Sequence, residues 1–388
     1  MRIPLALLIF LTCTGLHAGP LAQALQPAID QHAIAGAAVV VADGSRILDS
    51  EAVGMADVAA GRPMKPDDLF WIASMSKAMT AASLMMLVDE GKVDLDAPVE
   101  AYLPEFKGQK VRLPDGTLKE PSHPPRVREI LCHTAGFDFG SPAEKPTRDL
   151  LPLAVAVKSY AAEPLIYDPG TQYKYSNEGL NTAGRIVEVV SGMPYEKFMQ
   201  ARLFTPLGMT DTTFFPTAAQ VARLAKAYVP DEQGGLKEIQ INQLKYPLDG
   251  PGRYPMPAGG LFSDAADVVK FCQMLLNDGV ADGRRYLSHD ALAEMTTSQT
   301  RLPDHFYGFG LDVRNGVWSH GGAYKTHMRI DVPHHLIRVF MVQYGGKDWP
   351  KVEGKNPVAL VDAAVAKTFH EGRPADAAGT EGSNNPSP

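Results

Sequence analysis

Ser74 and Lys77 are the residues of this chain that first suggest chemistry. They lie three positions apart, just before an apolar helix-forming run from Ala78 to Val88. Residues three apart lie on one helix face, so the lysine amine would stand beside the serine hydroxyl. A serine becomes a useful nucleophile when a base takes its proton, and a lysine whose pKa is lowered by burial or cations can be that base. Taken alone, the pair is more typical of a helix-capping serine beside an exposed lysine.

A second candidate group is formed by Tyr175 and Asn177. It follows a turn signal at residues 168–170 and precedes a helix-forming segment, so the phenol and the amide could project into one cleft. A phenol is a usable base only if cations stabilise its phenolate, and Lys77 could be such a cation. The amide could donate to a substrate carbonyl and accept from the Lys77 ammonium. The alternative is a core tyrosine beside a helix-capping asparagine.

The third group, His320, Gly321 and Gly322, lies in the strand-rich C-terminal part of the chain. Consecutive glycines weaken a strand and indicate the close approach of another backbone or of a ligand. A simple loop is the alternative.

Taken together, the three groups resemble the serine β-lactamase and penicillin-recognising family, most closely its branch of class C β-lactamases, D-aminopeptidases, D-Ala-D-Ala carboxypeptidases and esterases. Ser-x-x-Lys and Tyr-x-Asn occur in the family's order, and His320-Gly321-Gly322 stands where many members have Lys-Thr-Gly. The resemblance runs from about residue 34 to residue 369. Supporting segments that also resemble this branch are residues 131–136, 206–209 and 258–261.

The resemblance implies a role for each site residue. Ser74 Oγ would attack an acyl carbonyl, and Lys77 and Tyr175 would share the transfer of its proton, with the identity of the base left open. The backbone N–H groups of Ser74 and Ala323 would form the oxyanion hole. Asn177 would hold the substrate amide or carbonyl.

The third group departs from the family pattern at His320. With Gly321, Gly322 and Ala323 it would bind substrate, either beside the substrate's anionic end in place of a lysine or by assisting proton transfer. A histidine is mostly neutral at pH 7 unless its pKa is raised. Hydrolysis of a less anionic ester or amide is therefore expected over strong β-lactamase activity.

These observations predict an exported serine hydrolase that acts through an acyl-enzyme on ester or amide substrates, as an esterase or as a D-peptidase or carboxypeptidase. The alternatives are a β-lactamase proper and a non-catalytic, penicillin-binding type of ligand-binding protein. The expected partner is a small-molecule or peptide substrate. No cofactor and no metal are expected, since the histidines show no metal-binding spacing. Residues 101–125 and 209–258 are expected to form the walls of the substrate pocket.

Composition sets limits on location and partners. The chain of 388 residues has a formal net charge of -7, which argues against nucleic acid as a partner. A positive start, an apolar run and a small-residue cleavage site predict a signal peptide over residues 1–18 and a periplasmic or secreted protein. No membrane span is expected in the mature chain. The tail at 372–388 is poor in apolar residues and is predicted to be disordered.

The pattern of elements predicts an α+β fold of the β-lactamase and transpeptidase type, an α/β sandwich plus an all-α region. A hairpin is expected across residues 37–53, several helices in the middle and strands from residue 307 onward. The hydrolase domain would span residues 19–371. Its antiparallel sheet, flanked by helices, would come from about residues 34–72 and 258–371, with a helical region inserted at about 73–257.

Overall fold

The computed structural model describes residues 18–370. The predicted signal peptide, apart from Ala18, and the predicted disordered tail lie outside the described residues. Within the described range no helix is both long enough and apolar enough to cross a membrane.

Most strands are short, and a minority of them build the central sheet. They are β1 (Gly36–Asp43), β2 (Ile47–Asp57), β3 (Arg62–Pro63), β4 (Phe70–Trp71), β5 (Val111–Arg112), β6 (Leu118–Lys119), β7 (Ala227–Pro230), β8 (Leu236–Ile239), β9 (Phe262–Ser263), β10 (Val280–Ala281), β11 (Arg284–Arg285), β12 (Asp312–Arg314), β13 (Val317–Gly321), β14 (His327–Asp331) and β15 (Leu336–Met341).

The central sheet has the order β12-β13-β14-β15-β1-β2-β3, and every pairing in it is antiparallel. Strand β1 pairs with β15, so the two ends of the chain meet at the middle of the sheet. This is the predicted α+β arrangement, and the fold class is confirmed.

The helices lie mostly between the two groups of strands. They are α1 (Pro20–Asp30), α2 (Ser76–Asp89), α3 (Val127–Leu131), α4 (Leu153–Ala161), α5 (Asn177–Ser191), α6 (Tyr195–Met199), α7 (Ala218–Arg223), α8 (Ala265–Leu276), α9 (His289–Thr296) and α10 (Pro357–Val365), with π-helical turns at Gln200–Phe204 and Ala366–His370.

Both faces of the sheet are covered, because side chains alternate along a strand. In β1, Ala38 and Val40 point into the larger core with the helical region, whereas Val39 and Val41 point into a smaller core with α1 and α10. A strand buried on both faces reads as a continuous apolar run, which is why residues 37–42 carry no polar alternation.

Helix α2 passes through the larger core and packs against α5 and α9. Its residues from Ser76 to Leu87 are all buried. A helix that is apolar on all sides belongs in the interior. The first residues of α2 therefore have their positions fixed from several directions, which suits a site that needs rigid geometry.

The predicted elements differ from the structure at the start of one C-terminal strand and at one missed helix. The strand predicted to begin at Tyr307 begins at Asp312, because Gly310 adopts a φ of +70°, which interrupts extended backbone. Helix α1 was not predicted at all.

Candidate active site

Ser74 lies in a single 3₁₀ turn, Ala73–Met75, which precedes α2. The preceding residue, Ala73, has a φ of +47°. A non-glycine residue in this region stores on the order of 1–3 kcal/mol of strain, which the surroundings must hold. Ser76 helps to do so, since its hydroxyl donates to the Ala73 carbonyl at 2.6 Å and accepts from the Leu261 N–H at 3.2 Å. This positioning role of Ser76 was not predicted from the sequence.

Lys77 is completely buried one turn further along, and its amine is surrounded by three acceptors. Nζ lies 3.1 Å from Ser74 Oγ, 2.7 Å from Asn177 Oδ1 and 2.6 Å from the Ala258 carbonyl oxygen. Burial, together with the positive charge of Arg148, holds the pKa of Lys77 well below its usual range. A neutral amine in this position can donate to Asn177 and Ala258 and still offer a lone pair to the Ser74 hydroxyl.

Tyr175 stands on the other side of the serine. Lys77 Nζ lies 4.6 Å from the centroid of its ring, and Tyr175 lines the same cavity as Ser74. Burial raises the pKa of Tyr175 further above its ordinary value, and the neighbouring Ser74 side chain opposes this only in part. The phenol is therefore protonated at neutral pH and available as a hydrogen-bond donor.

The start of α5 explains how Asn177 is left free to contact Lys77. The cap of this helix is Ser176, whose hydroxyl accepts from the Gly179 N–H at 3.2 Å and donates to the Asp138 carbonyl at 2.5 Å. The Asn177 side chain is thus not used for capping. Its backbone N–H donates to the Phe139 carbonyl at 3.2 Å, which fixes the start of α5 against the 137–141 loop.

The third group lies at the end of β13 and divides into two parts. Gly321, Gly322 and the following Ala323 line the same cavity as Ser74. A Cβ on Gly322 would lie 2.6 Å from the Ile72 carbonyl oxygen, so only glycine lets this strand approach the turn that carries the serine. The close backbone approach predicted from the double glycine is confirmed.

His320 lies behind this wall and is not among the lining residues. Its Nδ1–H donates to the Gly321 carbonyl at 2.8 Å, and its Nε2 accepts from the Tyr307 hydroxyl at 3.0 Å. Burial, together with the charge of Lys77, lowers the pKa of His320 to about 3. The imidazole is neutral at physiological pH, and this placement does not support a charged contact with a substrate anion.

An aromatic cluster that the sequence did not indicate supports Tyr175 from behind. The buried His133 ring lies 4.5 Å from the Tyr175 ring and 4.7 Å from the Tyr307 ring, centroid to centroid. Nδ1 of His133 accepts from the Ser176 N–H at 3.2 Å. The cluster thus fixes the tyrosine ring and the cap of α5 together.

The cavity has a volume of about 250 Å³. The segment 209–258 contributes to it as expected, whereas none of residues 101–125 lines it and Phe139 does instead. No described lining residue carries a charge. The lining residues are Trp71, Ala73, Ser74, Phe139, Tyr175, Asn177, Gln243, Met256, Ala258, Gly259, Gly321, Gly322 and Ala323.

A possible metal-ligand set occurs elsewhere in the described chain. It comprises Asp331, His334 and His370, at the β14–β15 turn and after α10. The Asp331 carboxylate already accepts from His334 Nδ1 at 2.8 Å and from Arg329 at 3.2 Å. None of these residues belongs to the cavity around Ser74.

The chain is similar to known proteins over nearly its whole length. The family model named Beta-lactamase matches residues 21–362. Esterase EstB of Burkholderia gladioli is 32% identical over 406 residues, covering 92% of this chain and 98% of its own. Penicillin-binding protein 4 of Amycolatopsis lactamdurans is 32% identical over 332 residues, covering 81% of this chain and 82% of its own.

Among solved structures, the chain is similar to EstCE1, described as a hydrolase with promiscuous acyltransferase activity. The TM-score is 0.73 at 26% identity, with 89% of this chain and 97% of that chain covered. The family model, the relatives and the fold agree with the resemblance seen in the three groups. The chain belongs to the Beta-lactamase family.

Proposed function

We propose that this protein is an exported serine hydrolase that cleaves esters through an acyl-enzyme formed on Ser74. The observation that carries the proposal is the 3.1 Å approach of a buried Lys77 amine to Ser74 Oγ. The lowered pKa of Lys77 favours the neutral amine, which is the form that can accept the serine proton. Burial keeps the Tyr175 phenol protonated, so we assign Lys77 as the base and Tyr175 as a donor that relays the proton.

The chemical steps follow from these assignments. Ser74 Oγ forms a bond to the acyl carbon while its proton passes to Lys77. The oxyanion is held by the backbone N–H groups of Ser74 and Ala323, each worth ~2.7–4 kcal/mol in comparable sites. The ester C–O bond then breaks, the departing alkoxide takes the hydroxyl proton of Tyr175, and Lys77 passes the proton from Ser74 on to Tyr175. Water then attacks the acyl carbon, a proton from the water passes through Tyr175 and Lys77 to Ser74 Oγ, and the bond between the acyl carbon and Oγ breaks to release the acid.

Esters are preferred as the substrate class for two reasons. The lining of the cavity is uncharged, and His320 stands neutral where many family members place a lysine. EstB, a relative of nearly full length, is named an esterase. Asn177, at the cavity wall, would hold the acyl carbonyl, as the family pattern implies.

The activity is tested by the hydrolysis of 4-nitrophenyl butyrate. We expect turnover by the wild type, a loss of at least about 10³-fold in kcat/KM for Ser74→Ala, and no change for Ser50→Ala, a matched serine that is exposed on β2. Wild-type protein without turnover would favour the non-catalytic, ligand-binding alternative.

A second candidate function, antibiotic hydrolysis, is supported by the match to the family model named Beta-lactamase. The neutral His320 argues for slow turnover of anionic β-lactams. Nitrocefin turnover that rivals that of dedicated β-lactamases would overturn the ester assignment.

Export is proposed from residues 1–18 alone, through their positive start and apolar run. N-terminal sequencing of the protein purified from its native host should begin near Gly19. Recovery of an intact N-terminus would contradict this part of the proposal.

A further inference from the structure

The wall of the cavity opposite β13 is made in part by Phe139 and Gln243. Arg148 contacts both residues. Its guanidinium carbon lies 4.8 Å from the centroid of the Phe139 ring, and its backbone N–H donates to the Gln243 carbonyl at 2.9 Å. Phe139 is 41% exposed, so this part of the wall is the rim of the cavity. Arg148 is not itself a lining residue of the cavity, but its side chain keeps 24% of its surface exposed.

The guanidinium of Arg148 has donors to spare. Its one described carboxylate neighbour is Glu144, at 3.5 Å between Nη1 and Oε2. That carboxylate takes its hydrogen bonds from the Tyr160 hydroxyl at 2.7 Å and the Ser141 N–H at 3.0 Å. Arg148 is therefore held near Glu144 without forming the two-pronged pair that an arginine makes with a free carboxylate.

Gly140 provides the space that this arrangement needs. A Cβ at this position would overlap Arg148 Nη1 and would lie 2.9 Å from Glu144 Oε2. Its backbone conformation is not the left-handed one, so space and not φ is what glycine supplies here. A side chain at residue 140 would push the guanidinium away from the Phe139 ring.

Among the described residues, Arg148 is the cation that lies over the Phe139 ring. The β13 wall contributes two glycines and an alanine, which carry no charge. Lys77 is buried, and its amine is already hydrogen-bonded to three oxygen atoms. The 137–141 loop also touches the start of α5, through the hydrogen bond from Asn177 N–H to the Phe139 carbonyl. The rim near Phe139 is thus beside the amide proposed to hold the acyl carbonyl.

We propose that Arg148 determines specificity by binding a carboxylate at the far end of the substrate's acyl group, so that half-esters of dicarboxylic acids are preferred over uncharged esters of the same length. A carboxylate matches the planar fork of a guanidinium, and the pair would form over the Phe139 ring. This inference rests on the proposed esterase function.

The test compares two substrates of equal chain length, the mono-4-nitrophenyl ester of adipic acid and 4-nitrophenyl hexanoate. The readout is the ratio of their kcat/KM values, in which any change in Lys77 reactivity cancels. We expect the wild type to favour the adipate ester. Arg148→Gln should lower the ratio roughly 10- to 100-fold. The ratio for Arg148→Lys should lie between those of the wild type and Arg148→Gln, because a lysine keeps the positive charge but lacks the planar, two-pronged guanidinium.

Two matched changes complete the design. Gly140→Ala keeps the Arg148 guanidinium but displaces it, and should lower the ratio by a smaller factor than Arg148→Gln. Arg46→Gln, at an exposed arginine of the β1–β2 turn, should leave the ratio unchanged. With the wild type alone, high salt should reduce the ratio, because the attraction at an exposed rim is screened.

The outcomes separate the two proposals. A ratio that Arg148→Gln leaves unchanged, or a wild-type ratio insensitive to salt, overturns the role of Arg148. Absence of turnover on both esters overturns the esterase function instead. In that case calorimetry with the Ser74→Ala protein, using monomethyl adipate against methyl hexanoate, still decides whether Arg148 favours the carboxylate.

Discussion

At the scale of single residues, Lys77 decides whether Ser74 can react. Because the amine must be neutral to accept a proton, kcat/KM for 4-nitrophenyl butyrate should rise as the pH rises through the pKa of Lys77. The midpoint should lie well below the ordinary value of about 10.4. A pH–rate profile measures it.

Lys77→Arg should abolish this rise of kcat/KM with pH, because a guanidinium stays protonated. It should also lower kcat/KM by about 10²–10⁴-fold. Lys92→Arg, an exposed lysine at the end of α2, is the control and should behave as the wild type does. A flat pH–rate profile in the wild type, or the same rise with pH in Lys77→Arg, would contradict the assignment of Lys77 as the base.

The lowered pKa of His320 can be tested through the free energy of unfolding of the protein. Its pKa is about 3 in the folded protein, below the ordinary value of 6.5, so the unfolded chain binds the proton more readily and stability falls as the pH drops below about 6.5. Between pH 7.5 and pH 5.5 the wild type should lose about 1.4 kcal/mol more unfolding free energy than His320→Gln. Urea unfolding at both pH values measures this difference. A charged His320 with a raised pKa would give the opposite sign.

At the scale of elements, the contact between β13 and the 73–75 turn positions the candidate nucleophile. Gly322→Ala would place a Cβ 2.6 Å from the Ile72 carbonyl oxygen and should displace the turn. We expect kcat/KM to fall at least about 10-fold, together with the melting temperature.

The neighbouring glycine provides a matched control. The nearest atom to a Cβ on Gly321 lies at 3.6 Å, an ordinary contact. Gly321→Ala should therefore leave the melting temperature nearly unchanged. Equal effects of the two substitutions on melting would show that the close approach at Gly322 does not hold the turn.

At the scale of the whole molecule, the two cores separate stability from function. Leu25 of α1 is fully buried in the smaller core, on the sheet face away from α2. Leu25→Ala should cost about 2–5 kcal/mol of unfolding free energy and leave kcat/KM unchanged. Val189→Ala, at a position 45% exposed on α5, should cost little. A loss of activity in folded Leu25→Ala protein would show that the two faces are coupled.

The same scale shows what the sequence could predict. The fold class followed from β-branched runs at both ends with helix-forming segments between, and the contact of Lys77 with Asn177 followed from motif order. Arg148, Phe139 and Tyr307 were not predicted, because they lie in irregular segments brought to the site only by tertiary packing. The role of Ser76 was not predicted either, because a serine beside a candidate nucleophile carries no signal of its own until the strained turn at Ala73 is seen.

The central claim is that Ser74 carries the covalent chemistry, and covalent labelling tests it most directly. The wild type is treated with a fluorophosphonate, digested, and mapped by peptide mass spectrometry, with Ser74→Ala treated in parallel. We predict one adduct, on Ser74, with labelling and ester hydrolysis lost together in the variant. An adduct on another residue, or hydrolysis retained by Ser74→Ala, would contradict the account.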